Sequence, residues 1–399
     1  MPAMPSQRLP RAFSSRLGDN DVPFFVVVSG EVQALRPTGD TEILIVAHGP
    51  GQFSGEAIMI TGRRAMGRLR ASEPGEVIQL EREQLLALIQ TDAELSEMLM
   101  RAFMLRRLEL IAHEFGDVVV VGSAHCAGTL RVKEFLTRNG HPFHYIDLDR
   151  DAAAQALLDQ FQVSAADVPV LICGADAVLR NPNNAQIAEC LGFNDAIDQT
   201  GVSDLVIVGA GPAGLAAAVY GASEGLDVLV LESNSPGGQA GASSRIENYL
   251  GFPTGISGLD LTGRAHAQAQ KFGAQIMIAK GATKLACDRQ PYEVQIAERS
   301  SVRARAVIIA TGAEYRRPAL ANLSQFEGAG VYSPRCRWRH SCASARMSSS
   351  SAAAIRRARP PSSSRRPRSA STCWFVETGW PRRCRGISFA ASKTTPRSS

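Results

Sequence analysis

The sequence predicts a multidomain protein: a β-barrel with helices, a small α/β unit, a second α/β unit built on a parallel sheet, and a disordered basic tail. Three observations carry this. Between residues 22 and 114, short apolar strands give way to apolar residues recurring at three and four. Between 117 and 193, strands and helices alternate. From Asp204, an apolar strand runs into a glycine-rich turn, a helix, and a second strand ending in an acid.

The composition sets the frame. The chain has 399 residues, 45% hydrophobic and 20% charged, which excludes a small disulfide scaffold and a wholly disordered polymer. No apolar run approaches the ~18–20 residues of a membrane span, so the expectation is a cytoplasmic protein without membrane contact. Residues 333–399 hold 15 of the 43 Lys and Arg but only one of the 38 acidic residues. The chain before Ser333 is therefore acidic, and only its tail is basic. Four of the eight cysteines (Cys336, Cys342, Cys373 and Cys384) also lie in the tail. Cys126, Cys173, Cys190 and Cys287 have no metal-ligand spacing, so no metal site is expected.

In the first unit, Pro23–Val28, Glu31–Leu35, Ile43–Val46 and Val77–Leu80 read as strands. Leu85, Leu88, Ile89, Leu95, Leu99, Phe103, Leu108 and Ile111 then mark helix. Residues 1–18 read as a disordered lead-in, and the unit spans 19–115. Phe24–Val32, Gly49–Phe53 and Gly55-Glu56 resemble a cyclic-nucleotide-binding domain whose opening strands are missing. The resemblance implies that Glu56 takes a ribose hydroxyl and that an Arg nine residues later takes the cyclic phosphate, a bidentate cation on an anion. Ala65 stands there, with Arg63 and Arg64 out of register. Gly55, Glu56 and Arg64 are the candidate residues, and cyclic AMP or cyclic GMP is expected to bind weakly.

Residues 116–196 form the second unit. Val118–Val121, His144–Asp149 and Val168–Ile172 read as strands, with a loop at Ser123–Thr129 entering a helix, an Ala- and Leu-rich helix between the second and third strands, and Ala185–Leu191 closing the unit. This order resembles a glutaredoxin or thioredoxin domain. The resemblance implies a cis Val168-Pro169 bond facing the redox loop. It also places Cys126 at the nucleophile position, a helix N-terminus where the dipole favours thiolate. The partner position is Thr129, so any chemistry there is monothiol, with His125 alongside; a redox-inactive docking domain is the alternative.

Residues 197–332 carry the strongest signal. Leu205–Val208 is an apolar strand of the parallel kind. It enters Gly209-Ala210-Gly211-Pro212-Ala213-Gly214 and the helix from Leu215. Gly209 permits the turn, Gly211 lets the backbone approach a pyrophosphate, and Gly214 lets helix pack on strand. A second strand, Asp227–Leu231, ends at Glu232, a carboxylate suited to a ribose hydroxyl. This is a Rossmann-type fingerprint.

Pro236-Gly237-Gly238-Gln239, Ile246–Pro253 and Ala306–Ala313 resemble the thioredoxin reductase family of flavin-dependent pyridine nucleotide–disulfide oxidoreductases. The resemblance assigns the fingerprint to FAD and places Gly238, Gln239 and Asn248 beside the isoalloxazine, with Thr311-Gly312 closing over the dinucleotide. It implies electron transfer from NADPH through FAD to a disulfide, a thioredoxin-like protein or small disulfide as partner, and a homodimer. Two other functions stay open. One is an FAD oxidoreductase with a non-disulfide substrate. The other is a cyclic-nucleotide-responsive regulatory protein with a vestigial flavin domain.

After Tyr332 the family pattern stops. Where the family carries its NADPH domain, residues 333–399 are rich in Ser and Arg. They have no regular aromatic interleaving, so nucleic-acid binding is not expected. Reading Met347–Ser364 one base earlier, with GC-rich codons, gives Asp-Val-Val-Val-Val-Gly-Gly-Gly-Asn-Ser-Ala-Gly-Gln-Ala-Ala-Val-Phe-Leu. That is a second dinucleotide fingerprint. The expectation is a frameshift near residue 333, with the NADPH site lost from this chain.

Overall fold

The computed structural model describes residues 6–9, 15, 19, 22–38, 41–112, 118–150, 167–173, 177–197, 200–297, 300–313, 374–376 and 387–388. Among these residues, no helix is long and apolar enough to cross a membrane.

The first unit is one antiparallel sheet in the order β1-β5-β2-β3, with β4 on β2. Its strands are β1 (Ser6–Leu9), β2 (Phe24–Thr38), β3 (Thr41–His48), β4 (Phe53–Ser54) and β5 (Arg68–Leu80). Phe25, Val27, Val32, Leu69 and Val77 close its interior. One correction concerns the lead-in. Ser6–Leu9 pairs with Gly75–Ile78 as a real strand, although its sequence shows no apolar alternation; the partner strand supplies the order.

Helix α1 (Glu56–Thr61) interrupts the sheet, and α2 (Arg82–Thr91) and α3 (Ala93–Ala112) follow it. The predicted single helical stretch is split because the Asp92 carboxylate accepts from the amides of Glu94 and Leu95 at 3.1 and 3.0 Å. That starts a new helix. Leu85, Ile89, Leu99 and Phe103 form a core that also takes in Ala267, from a helix of the third unit.

The second unit is a four-stranded sheet in the order β7-β6-β8-β9: β6 (Val118–Gly122), β7 (His144–Asp147), β8 (Val170–Cys173) and β9 (Ala177–Arg180). β6 and β7 run parallel, and the other pairs are antiparallel. Helix α4 (Ala127–Arg138) follows β6, and α5 (Asn184–Cys190) closes the unit. The sequence reading lacked β9. Its predicted helix between β7 and β8 lies outside the described residues.

The third unit carries parallel strands in the order β12-β11-β10-β15, extended by antiparallel β14 and β13. These are β10 (Val202–Val208), β11 (Val228–Leu231), β12 (Gln275–Met277), β13 (Lys284–Ala286), β14 (Tyr292–Ala297) and β15 (Ser300–Ile309). Helices α6 (Pro212–Ser223) and α7 (Gly258–Lys271) are its two long helices. Val206, Ile207, Leu229, Val230 and Leu231 are essentially dry, and each burial stabilises by roughly 1.5–3 kcal/mol. One cluster runs from Val118, Phe135 and Phe193 to Ile207, Leu215 and Ile276. The second and third units thus share a core.

Of the tail read as disordered, two described pieces depart from that reading. β16 (Trp374–Val376) pairs with β15, and β17 (Ile387–Ser388) pairs with β13. Trp374, Phe375, Val376 and Ile387 are the residue types that favour strand.

Candidate functional site

The glycine-rich turn joins β10 to α6 at the C-terminal edge of the parallel strands, where open α/β sheets bind ligands. Gly209 has φ +104°, and a Cβ there would sit 2.5 Å from the Ala310 carbonyl oxygen. A Cβ at Gly214 would lie 1.8 Å from the Gly209 carbonyl oxygen, so helix and turn touch only without a side chain. At Gly211 the nearest atom would be Gly238 Cα at 4.0 Å. Pro212 and Ala213 open α6 behind Gly211, its N-cap, and aim the first helical amides across this face. The turn thus fits a dinucleotide pyrophosphate.

Glu232 is 7% exposed. Its Oε2 accepts from the Ala210 amide at 2.8 Å and its Oε1 from the Asn234 amide at 2.9 Å. Burial raises its pKa, opposed by those amides and by the Arg138 charge. The carboxylate fixes the turn from the end of β11. The Gly237 amide donates to the Ala210 carbonyl at 2.7 Å, which lays the Pro236–Gln239 loop against the turn. Gln239 donates to the Ala313 carbonyl, joining that loop to the exposed Thr311-Gly312 segment after β15. Asn248 is exposed in the loop preceding α7. The structure therefore gathers Gly209, Gly211, Pro212, Ala213, Gly214, Glu232 and Gly238 closely, and ties Gln239 to the end of β15.

Cys126 is the N-cap residue of α4, half-buried, with its carbonyl accepting from Leu130 at 3.1 Å. Thr129 is fully buried against Gly122. The Val168-Pro169 bond is cis, and a Cβ at Gly128 would sit 2.8 Å from the Pro169 ring. His125 is exposed. Arg131, anchored on the Asn184 amide oxygen at 3.2 Å, lies within electrostatic reach of the thiol.

In the first unit, Gly55 and Glu56 start α1. Glu56 is buried and paired with Arg106 of α3 at 2.8 Å. Arg64 pairs with Asp195 of the second unit at 2.6 Å. A cavity of about 650 Å³ opens between these elements, inside the roughly 300–1,000 Å³ range of ligand pockets.

The pyridine nucleotide-disulphide oxidoreductase family model matches residues 203–343, and the cyclic nucleotide-binding domain model matches residues 16–92. Over 130 residues the chain is 40% identical to thioredoxin reductase of Listeria monocytogenes, covering 33% of this chain and 40% of that protein. The similarity to the pyridine nucleotide-disulphide oxidoreductases thus spans residues 203–343. Thioredoxin reductase of Bacillus subtilis is 41% identical over 130 residues, 33% of this chain and 40% of that one. NADPH-dependent thioredoxin reductase 3 of Arabidopsis thaliana is 37% identical over 134 residues, 33% of this chain and 25% of its own. The solved thioredoxin reductase of Streptococcus pyogenes matches at 34% identity and TM-score 0.28, covering 32% of this chain and 41% of that one. The chain thus spans less than half the length of the relatives it matches.

The sequence reading missed Arg138. This residue ends α4, 8% exposed at its side chain, and its Nη2 donates to the carbonyls of Gly238 at 2.6 Å and Pro236 at 3.3 Å. Nothing local marks it; only its place at the end of the helix that starts at Cys126 ties one unit to the other. Arg106 and Arg107 were missed as well, being two of several charged residues along α3.

Proposed function

We propose that residues 204–313 hold FAD and that the protein belongs to a thioredoxin-reductase-type system, with the first unit as its regulatory domain. The observation that carries this is the Gly211 face. It is clear of side chains, capped by α6 and backed by the Glu232 carboxylate. Gly209, Gly211 and the first turn of α6 would hold the pyrophosphate, Glu232 the adenosine ribose, and Gln239, Asn248 and Thr311-Gly312 the flavin side. Bound FAD would supply hydride acceptance and electron transfer to sulfur. The chain's own part is to orient the dinucleotide and to keep water from the Gly238–Gln239 side of it.

In this reading the second unit is glutaredoxin-like, with Cys126 as a monothiol site facing Pro169. The natural electron acceptor is a disulfide, on a thioredoxin-like protein or a small molecule, in the cytoplasm. Residues from about 333 onward are read as out of frame, on the codon argument above. The NADPH half is then missing, and hydride transfer, which needs donor and flavin ~3–3.5 Å apart, fails here. Sequencing the DNA across codons 330–336 tests the frame. The function is tested by anaerobic titration with NADPH of this chain and of its frame-restored form, each loaded with FAD. Flavin bleaching and thiol release from a disulfide are expected only in the restored form. Bleaching at reductase rates in the chain as given would overturn the frame argument, and no bleaching in either would overturn the function.

A further inference from the structure

Four arginines converge where the first and second units meet, and two have no acid to balance them among the described residues. Arg106 is matched by Glu56 and Arg64 by Asp195. Arg63 and Arg107 instead donate to one neutral atom, the Asn139 carbonyl oxygen, at 2.9 and 2.7 Å. Arg63 also stacks on Phe193, 4.2 Å from the ring centroid. Among the described residues no carboxylate pairs with either guanidinium. Asn139 follows the last residue of α4, and a helix C-terminus offers only about half a negative charge, against two full positive ones.

The surroundings report that excess. Burial and the neighbouring Arg107 lower Arg63 to about 9, and burial lowers Arg107 to about 10. His48 falls to about 4 through burial and the Arg106 charge. His266 is pushed well down by burial and by Arg63 and Arg107. Two like charges half-buried side by side without a counter-charge among the described residues are unfavourable. Gly140, with φ +58°, is what lets Arg107 in, since a Cβ there would sit 2.2 Å from its Nη2.

Arg63, Arg107, His48 and Glu56 all line the 650 Å³ cavity, whose other walls include Val46, Leu69, Phe103, Leu191 and Phe193. It is an apolar chamber with a cationic end, made by both units. Ala65 also lines it, so the family's in-register cation is absent and the free charge lies at Arg63 and Arg107. Next to Asn139 stands Arg138, whose guanidinium holds the Gly238 carbonyl of the dinucleotide loop.

We propose that this cavity binds a phosphate-bearing nucleotide whose phosphate sits on Arg63 and Arg107 in place of the Asn139 carbonyl, and that occupancy loosens the Arg138 grip on residues 235–238. The inference rests on reading residues 16–92 as a ligand-binding domain and adds the anchor and the route. The base occupies the apolar walls and the phosphate completes the charge balance. Release of Asn139 frees the end of α4, so the sensory and flavin sites share one helix terminus.

The test uses the full chain and three probes: cyclic AMP, 5′-AMP and adenosine. Calorimetry should show at least one of the two phosphate-bearing probes binding ten-fold or more tighter than adenosine, and which one does so tells whether the natural phosphate is cyclic or open. Arg63→Gln and Arg107→Gln should each weaken that binding ten-fold or more, with circular dichroism confirming a folded chain. Hydrogen exchange over residues 235–239 should rise when the nucleotide is added. Arg138→Met should abolish that rise and, because the coupling is reciprocal, should bind the nucleotide more tightly than the unaltered chain. If none of the three probes binds the folded chain, the ligand-binding reading of 16–92 falls and the inference with it. If a nucleotide binds but both glutamine variants bind it equally well, or exchange at 235–239 does not respond, the inference alone is overturned. Should either glutamine variant fail to fold, the lysine variant at that position replaces it. Retained charge with lost bidentate geometry should still weaken binding, and unchanged affinity there refutes the anchor.

Discussion

Replacing Arg138 by methionine keeps the aliphatic stem but removes the guanidinium that spans from α4 to the dinucleotide loop. The contact to the Gly238 carbonyl at 2.6 Å is short and charge-assisted, and the one to Pro236 at 3.3 Å is weaker. A hydrogen bond to a charged group contributes about 1.5–3 kcal/mol, so the first contact alone sets a loss of that size. The Arg138 charge also opposes the burial that raises Glu232. Without it that carboxyl moves further up, so the ionised form costs most at neutral pH and the folded variant takes up a proton sooner as pH falls. The variant should therefore unfold at lower urea, by about 2–3 kcal/mol at neutral pH. The deficit should narrow toward mildly acidic pH, where the variant's folded state takes up the extra proton, and FAD binding should weaken about ten-fold or more, since ten-fold is about 1.4 kcal/mol. Urea melts at two pH values and flavin-fluorescence titrations check this. A change within about 0.5 kcal/mol, the scatter of ordinary surface substitutions, would show that the α4–loop contact does not support the site.

Three further outcomes are expected. Gly211→Val should leave urea stability nearly unchanged, because the nearest atom is 4.0 Å away, yet abolish FAD binding. Gly214→Ala should destabilise the fold by about 3 kcal/mol, since its Cβ meets a carbonyl oxygen. Equal effects of these two variants on stability would refute the division of roles. His48, lowered to about 4 from 6.5 in the folded chain, should cost stability as pH falls through that window. There the unfolded chain binds the extra proton, by up to roughly 3 kcal/mol, and His48→Gln should flatten that slope in urea melts. Cys126 should be alkylated before Cys173, Cys190 and Cys287, as followed by mass spectrometry near neutral pH; another cysteine reacting first would remove the monothiol reading.

What the sequence disclosed was local. Asp204–Glu232 was readable because strand, glycines, helix and acid follow one another within 29 residues, and each residue type answers a nearby steric or electrostatic need. Cys126 was legible for the same reason, as a helix start, and Gly55-Glu56 through a short contiguous motif. Strand Ser6–Leu9 was not, since its order comes from pairing with Gly75–Ile78. The strands at Lys284–Ala286 and Tyr292–Ala297 are short, and their pattern is fixed by the sheet edge they extend. The break at Asp92 had a visible signal, an acid that caps the helix after it. Arg138 and the Arg63–Arg107 pair had none. Their partners lie 32 to 100 residues away in sequence, and only packing of the three units brings them together.

The central claim is that residues 204–313 form a dinucleotide flavin site. Equilibrium titration of the full chain with FAD and, separately, with FMN tests it most directly. FMN carries the same isoalloxazine but neither the pyrophosphate nor the adenosine ribose that Gly211 and Glu232 are placed to hold. The account predicts FAD binding at least ten-fold tighter than FMN, with the preference lost in Gly211→Val. Equal affinity for both flavins, or no FAD binding by the folded chain, would contradict it.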